Sequence, residues 1–376
     1  MKQNEATQRL VGKFIDMVKI SSPSRQEGAF AAYAQKELEA LGFSVEFDAA
    51  GAKTDGNTGN LIASLPGSTD AEALMFCCHM DTVTPCVDIQ PMIENGIIRS
   101  DGTTILGGDD KAGIAAIIEG VRRIQERGVE HGLLQVLLTI CEEVGMHGAK
   151  NLDYSKVKAR RVFVLDAEGP LGQIVVQGPA KDGIKAVVHG RTAHAGLSPE
   201  RGISAIQVAA RAIERMKLLR IDSETTANIG TISGGAATNI VAEQVEITAE
   251  ARSLSNNKLD VQSTHMKTCF ERVAAELGAT VDVDIQRSYA AFKLTENDPV
   301  VQQCIAAMRS LRLNPELVST GGGSDCNIFN ACGMAAVDLA IGMTNVHTKE
   351  ESIRISDLEM AACLIEALIE CNAREV

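Results

Sequence analysis

Leu74-Met75-Phe76-Cys77-Cys78-His79-Met80-Asp81 is an apolar run, too short for a typical helix, that passes straight into a histidine and an acid. Such a run, bounded by polar turns, reads as a strand buried on both faces. Two similar runs follow: Leu134 to Cys141, ending at Glu142-Glu143, and Val162 to Leu165, ending at Asp166. Between the first two, Asp110 to Gln125 has helical spacing and Gly128 closes it, glycine past the last turn being a common helix stop. Upstream, Phe43, Val45 and Phe47 alternate with polar residues as another strand. Glu5 to Val18 reads as a helix, and Ser24 with Glu27 has the capping-box spacing for a second that ends before Gly42. Strands alternating with helices predict an α/β fold, a mostly parallel mixed sheet with helices on both faces.

From about Asp182 the texture changes. The order becomes strand (Gly183 to Val188), helix (Pro199 to Leu219, opened by Ser198-Pro199), strand (Thr225 to Ile232), strand (Val241 to Ala251), helix (Asn257 to Leu277) and strand (Thr280 to Ile285). This is the βαββαβ order of a ferredoxin-like unit. Patterning resumes at Asp298, where Pro299 opens a helix; Ala335 to Ile341 reads as a strand, and Ser356 with Glu359 caps a last helix. A small domain over 182–289 is therefore expected as an insert in a larger discontinuous domain, 1–181 and 290–376.

Length and charge narrow the function classes. The chain has 376 residues, enough for two domains, and 49 acidic against 36 basic residues give a net charge of -13. That balance offers no electrostatic footprint for nucleic acid or anionic membrane. With no Trp and 3% aromatic residues, it also offers little for stacking on bases. No apolar stretch has the length of a membrane span and the N-terminus lacks a signal region. Ten cysteines occur without a CxxC pair, several within apolar runs. Reduced, buried thiols in the cytoplasm are the expectation.

Five short pieces carry the chemistry: His79-Met80-Asp81, Leu106-Gly107-Gly108-Asp109-Asp110-Lys111-Ala112-Gly113, Glu142-Glu143, Asp166-Ala167-Glu168 and Asn345-Val346-His347. Each follows an expected strand or a glycine turn, the edge of an open α/β sheet where ligands collect. Taken singly, each also has a plain reading as a turn, a helix cap or a solvated acid. Adjacent carboxylates repel unless a cation or a helix N-terminus offsets them. Two histidines with several acids make a nitrogen and oxygen donor set suited to Zn²⁺, Mn²⁺ or Co²⁺, and large enough for two ions sharing one carboxylate. Of Glu142 and Glu143, one can bind metal while the other moves a proton.

The combined pattern resembles the co-catalytic metallopeptidase superfamily that includes tripeptide aminopeptidase (peptidase T), glutamate-releasing carboxypeptidases, dipeptidases, desuccinylases and aminoacylases. Leu106 to Gly113 and Ser100-Asp101-Gly102-Thr103-Thr104 look most like the peptidase T branch. The resemblance runs over essentially the whole chain and implies a zinc-aminopeptidase-like catalytic domain with an inserted lid or dimerisation domain. It further implies two divalent ions per chain, zinc by family expectation, with His79 and Asp166 on one, Glu143 and His347 on the other, and Asp109 bridging. Asp81 would orient His79, Glu142 would be the general base, and a water bridging the two ions would be the nucleophile. His194 would stabilise an oxyanion, in the partner's cleft of a homodimer formed through the insert. Asn239, Arg252 and the Gly322-Gly323 backbone would bind substrate; the glycine run lacks the Lys-Ser/Thr ending of a phosphate loop. The implied reaction is hydrolysis of short peptides, with release of the N-terminal residue from tripeptides as the leading form. Carboxypeptidase, amidohydrolase or N-acyl amino acid deacylase activity is the alternative. An inactive dimeric binding protein is disfavoured, because a scaffold needs no general base.

Overall fold

The computed structural model describes residues 2–373; Met1 and residues 374–376, at the ends of the expected catalytic domain, lie outside them. A large unit takes the chain through Val176, then Lys293–Ser319 and the stretch from Ser324 onward; a small unit takes Gln177–Phe292 and Thr320–Gly323. The large unit opens with helices α1 (Lys2–Val18) and α2 (Gly28–Glu39), strand β1 (Ser44–Phe47), the short α3 (Ala50–Thr54), and strands β2 (Leu61–Leu65) and β3 (Leu74–His79). A hairpin, β4 (Pro91–Glu94) and β5 (Ile97–Ser100), precedes α4 (Gly108–Arg127). Then come β6 (Leu134–Thr139), the one-turn α5 (His147–Lys150), β7 (Arg161–Ala167) and β8 (Gln173–Gly178).

The small unit contains β9 (Ala180–His189), α6 (Ala205–Glu214), β10 (Leu219–Arg220), β11 (Thr225–Gly234), β12 (Gln244–Ser253), α7 (Asn256–Glu276) and β13 (Thr280–Tyr289). Its sheet runs β10-β11-β12-β9-β13, antiparallel at every pairing. Without the short β10, that is the ferredoxin-like order. Ile184, Val188, Val208, Val245, Phe270 and Val273 form part of a separate core for this unit.

The chain re-enters the large unit through β14 (Phe292–Lys293), α8 (Pro299–Ser310), β15 (Glu316–Ser319), α9 (Asp325–Ala331), β16 (Ala335–Ala340), β17 (Met343–Thr344), β18 (Ser352–Arg354) and α10 (Ile355–Ala373). The main sheet is ordered β1-β2-β6-β3-β7-β16-β8-β14, with β15 on β8. It is mixed. The middle, β6-β3-β7-β16, is parallel, and β1-β2-β6 and β16-β8 pair antiparallel. Strands β3 and β6 are buried at every position, as continuous apolar runs in a covered parallel sheet should be. No disulfide joins the cysteines among the described residues, and none of the described helices is long and apolar enough to cross a membrane.

Three helix starts differ from expectation. Helix α2 begins after Glu27 with no side-chain cap. Ser24 Oγ donates to Asp81 Oδ2 at 2.6 Å, and Glu27 Oε1 accepts the N–H groups of Arg25 and Cys141 at 2.9 and 3.0 Å, so tertiary partners have taken both members of the expected capping box. Ser198-Pro199 opens only a 3-10 turn. Ile203 bridges Arg191, and α6 starts where Ser204 accepts from Gln207 N–H. Helix α10 starts at Ile355, so Ser356 lies inside it, with its hydroxyl on Asp357.

Candidate metal centre

The parallel strands β3, β6 and β7 bring their C-terminal ends together, with His79 of β3 in register with Thr139 of β6. His79 is 2% exposed. Its Nδ1 lies 2.7 Å from the Asp81 carbonyl oxygen. A carbonyl only accepts, so Nδ1 carries a hydrogen and Nε2 is the ring atom turned to what lies on the other side. There Nε2 is 2.9 Å from Asp109 Oδ1 and 3.3 Å from Asp166 Oδ1. On the turn after β17, His347 Nε2 is 3.1 Å from Asp109 Oδ2 and 3.0 Å from Glu143 Oε1. Two donor clusters result: His79, Asp109 and Asp166, and Asp109, Glu143 and His347. They share Asp109, which turns one oxygen to each imidazole.

The electrostatics agree with a cation site. Burial works against a charge on His79, yet Asp166 and Asp109 push its pKa well above the ordinary imidazole value. The adjacent carboxylates of Asp109 and Glu143 push His347 up to about 10. Burial would raise Asp109, but His347 and His79 hold it below the usual carboxylate range. Burial, followed by the charge of Asp109, raises Asp166 well above that range. A negative potential that holds protons on two imidazoles this strongly also draws divalent cations, and imidazole with carboxylate is the donor set of zinc, manganese and cobalt sites. Glu143 Oε1 is buried without a hydrogen bond of good geometry despite its closeness to His347, as fits an oxygen shaped to bind an ion. The residues fit a metal pair.

Glu142 belongs to neither cluster. It is 8% exposed, and burial, with Asp325, Glu143 and Asp81 adding to it against His79, raises its pKa well above the ordinary glutamate value. Asp110 is fully buried outside both clusters, and neither of its carboxylate oxygens has a hydrogen-bond partner. Burial raises its pKa as well, which favours the neutral acid.

Asp81 acts differently from the expected carboxylate partner of His79. Its carboxylate lies 3.7 Å from Nδ1, beyond hydrogen-bond reach, and its main-chain carbonyl takes that bond instead. Its Oδ1 accepts from Glu142 N–H at 2.9 Å and Oδ2 from Glu143 N–H at 3.3 Å. Asp81 therefore fixes the imidazole with its backbone and the two glutamates with its side chain. Cys141, just before them, has a left-handed φ of 52°, and His347 one of 64°. Such conformations are uncommon for residues with side chains and persist where surrounding bonds impose them.

Sequence reasoning did not single out Asp338, whose Oδ1 accepts from Asp166 N–H at 3.0 Å, or Asp325, whose Oδ2 accepts from the Thr139 hydroxyl at 2.6 Å. Burial pushes both acids up to about 6. It also gave no role to Glu168 beyond its motif; Oε1 accepts from Asn345 N–H at 2.7 Å and so ties the Asp166 segment to the turn carrying His347. An acid inside an apolar strand, as in Ala335-Ala336-Val337-Asp338, was the available signal for the first.

The remaining expected residues lie on the small unit. His194 is exposed on the loop after β9, where residue 194 bridges Ile240. Its Nδ1 accepts from the N–H groups of Gly196 and Leu197, both at 3.1 Å, so Nε2 carries the hydrogen and can donate. The Asn239 carbonyl accepts from Ala195 N–H at 2.9 Å. Arg252 is engaged by Glu250, Nε to Oε1 at 2.8 Å, and donates to the Gly321 carbonyl at 3.3 Å. Gly322 N–H donates to Thr320 Oγ1, and a Cβ on Gly323 would fall 2.4 Å from the Tyr289 ring. Close packing thus accounts for the glycine at 323.

A model described as Peptidase dimerisation domain matches residues 181–277, and one described as Peptidase family M28 matches residues 60–198. The chain is 41% identical to the uncharacterized protein YqjE of Bacillus subtilis, across 97% of this chain and 99% of that one. Among solved structures, aminopeptidase PepT of Bacillus cereus is 43% identical with a TM-score of 0.92. A tripeptidase of Staphylococcus aureus is 39% identical with a TM-score of 0.95. Each of these two superpositions covers 98% of this chain and 99% of the other.

Proposed function

Because the chain belongs to the M20 family of dinuclear metal peptidases, close to its peptidase T and tripeptidase branch, we propose that it releases the N-terminal residue from free tripeptides. It is a metallopeptidase of short peptides. The observation that carries this reading is the pair of clusters joined through the two oxygens of Asp109, with a buried glutamate beside them that neither cluster uses.

In this reading His79 and Asp166 hold one ion, Glu143 and His347 the other, and Asp109 both. Zinc is the expected metal, with manganese and cobalt compatible with the same donors. Bound there, the ions supply Lewis acidity toward a carbonyl oxygen and toward water. Glu142 takes the proton from the attacking water and delivers it to the leaving amine, and a raised pKa suits a carboxyl group that must do both. Asp81 holds Glu142 in place through its backbone N–H. His194, with its hydrogen on Nε2, donates to the developing oxyanion, and Asn239, Arg252 and the Gly322-Gly323 backbone bind the substrate ends. The protein pairs through the small unit, where Leu197, Ile206, Ile232 and Ile240 expose apolar side chains, and His194 serves the partner's cleft.

The test is a cleavage screen of protein reconstituted with Zn²⁺, Mn²⁺ or Co²⁺. Free tripeptides should lose their N-terminal residue, and N-acetylation should abolish cleavage. Release of C-terminal residues, or preferred hydrolysis of N-acyl amino acids, would replace the proposal with the carboxypeptidase or deacylase alternative.

A further inference from the structure

Glu351 follows His347 by one turn of chain and is 1% exposed. Its carboxylate accepts three backbone N–H groups from the loop that enters α4. Oε2 takes those of Leu106 and Gly107, each at 2.8 Å, and Oε1 takes that of Asp109 at 2.9 Å. All three donor residues are buried. The loop is shaped around this acid: Gly107 is left-handed with φ 71°, and a Cβ on Gly108 would come within 3.0 Å of Glu351 Oε1. At its own end, Glu351 N–H donates to the Thr348 carbonyl and Thr348 N–H to the Asn345 carbonyl, closing the turn that carries His347. One carboxylate therefore clamps the segment bearing Asp109 to the segment bearing His347.

We propose that Glu351 is a positioning residue for the metal pair, holding Asp109 so that each of its oxygens faces its own imidazole and thereby setting the affinity of both ions. The proposal rests on the assignment of Asp109 as the shared ligand. Charge-assisted bonds from three buried donors make a stiff anchor, and losing one leaves a buried N–H unsatisfied. In Glu351→Gln one amide oxygen remains, but whichever way the amide turns its NH₂ faces a backbone N–H. The loop must then shift. Because both clusters use Asp109, both ions feel the shift, whereas a lesion confined to His347 touches one cluster.

The test titrates Zn²⁺ into metal-free full-length protein against a chelating indicator, with thermal melts of the same samples. Glu119→Gln serves as the control, since Glu119 is equally buried but pairs with Arg9 and Arg123 away from the clusters. Both stepwise dissociation constants of Glu351→Gln should rise by about 10–100-fold, the usual effect of losing a group that orients metal ligands. Glu119→Gln should keep wild-type affinities even where it melts lower. Unchanged affinities in Glu351→Gln, weakening of one ion only, or equal weakening in Glu119→Gln would each overturn the proposal. Wild-type protein that does not take up two ions would overturn the ligand assignment and this proposal with it. If wild type takes up two and Glu351→Gln binds them as well, only the role of Glu351 is lost. Should Glu351→Gln not fold, Glu351→Asp, which keeps the charge but withdraws it by a methylene, carries the same expectation and the same refutations.

Discussion

Glu142 and Glu143 are chemically identical neighbours separated by what surrounds them. Glu143 lies against His347, and Glu142 sits in a buried pocket of acids that raises its pKa. Glu142→Gln should therefore cut kcat by more than ~100-fold while two ions remain bound; steady-state rates together with elemental analysis check it, and near-normal turnover at full occupancy would remove Glu142 from the proton path. His347 gives a pH effect. Its pKa of about 10 means that the imidazole is protonated below that value, and an ion that takes Nε2 must displace the proton. Metal affinity should accordingly increase as pH rises toward 10, with proton release at neutral pH. Calorimetry in buffers of different ionisation enthalpy reads that release, and His347→Ala should lower it by about one proton. At this scale the sequence revealed the acids and histidines at strand ends, because those residue types have few other reasons to follow apolar runs. It did not reveal that Asp81 would use its carbonyl on His79 and its carboxylate on Glu142 and Glu143, since main-chain partners leave no mark on composition.

Helix α4 delivers Asp109 and is buried along most of its length. Its close approach to α10 depends on Gly120, where a Cβ would fall 2.7 Å from Ile365 Cβ and 2.9 Å from the Ala362 carbonyl oxygen. Gly120→Ala gains about 1 kcal/mol in helix propensity, against about 1–3 kcal/mol for overpacking a rigid contact. A backbone carbonyl and a β-branched side chain yield little, so the packing cost should win and lower the unfolding free energy by about 1 kcal/mol, read as a shift of the urea midpoint. A variant more stable than wild type would show that the helices can separate cheaply. Buried strands were legible because short apolar runs bounded by polar turns have few other homes in a folded α/β chain. Helix starts were legible where proline fixes the first turn without needing a side-chain partner, as at Pro299, which opens α8. They were missed at Ser24, where Asp81 bids for the same hydroxyl, and at Ser198, where Gly202 and the Arg191–Ile203 bridge return the chain to an extended path before Ser204 begins the helix.

For the whole molecule, the small unit supplies neither donor cluster yet holds His194. If His194 acts across a dimer, mixing His194→Ala chains with Glu142→Gln chains creates dimers with one intact cleft and one carrying both defects. Statistical exchange should then restore roughly a quarter of wild-type activity. Proven exchange without recovery would assign His194 to its own chain's cleft. The inserted unit itself was readable from its order of strands and helices. The two donor clusters also differ in when they can exist. His79 on β3, Asp109 at the start of α4 and Asp166 on β7 have all been synthesised by residue 166, and β3 pairs directly with β7 in the sheet, whereas the second cluster waits for residue 347. The residues of the first cluster are thus complete earlier in synthesis, and a chain cut short before that histidine retains them without the means of completing the second.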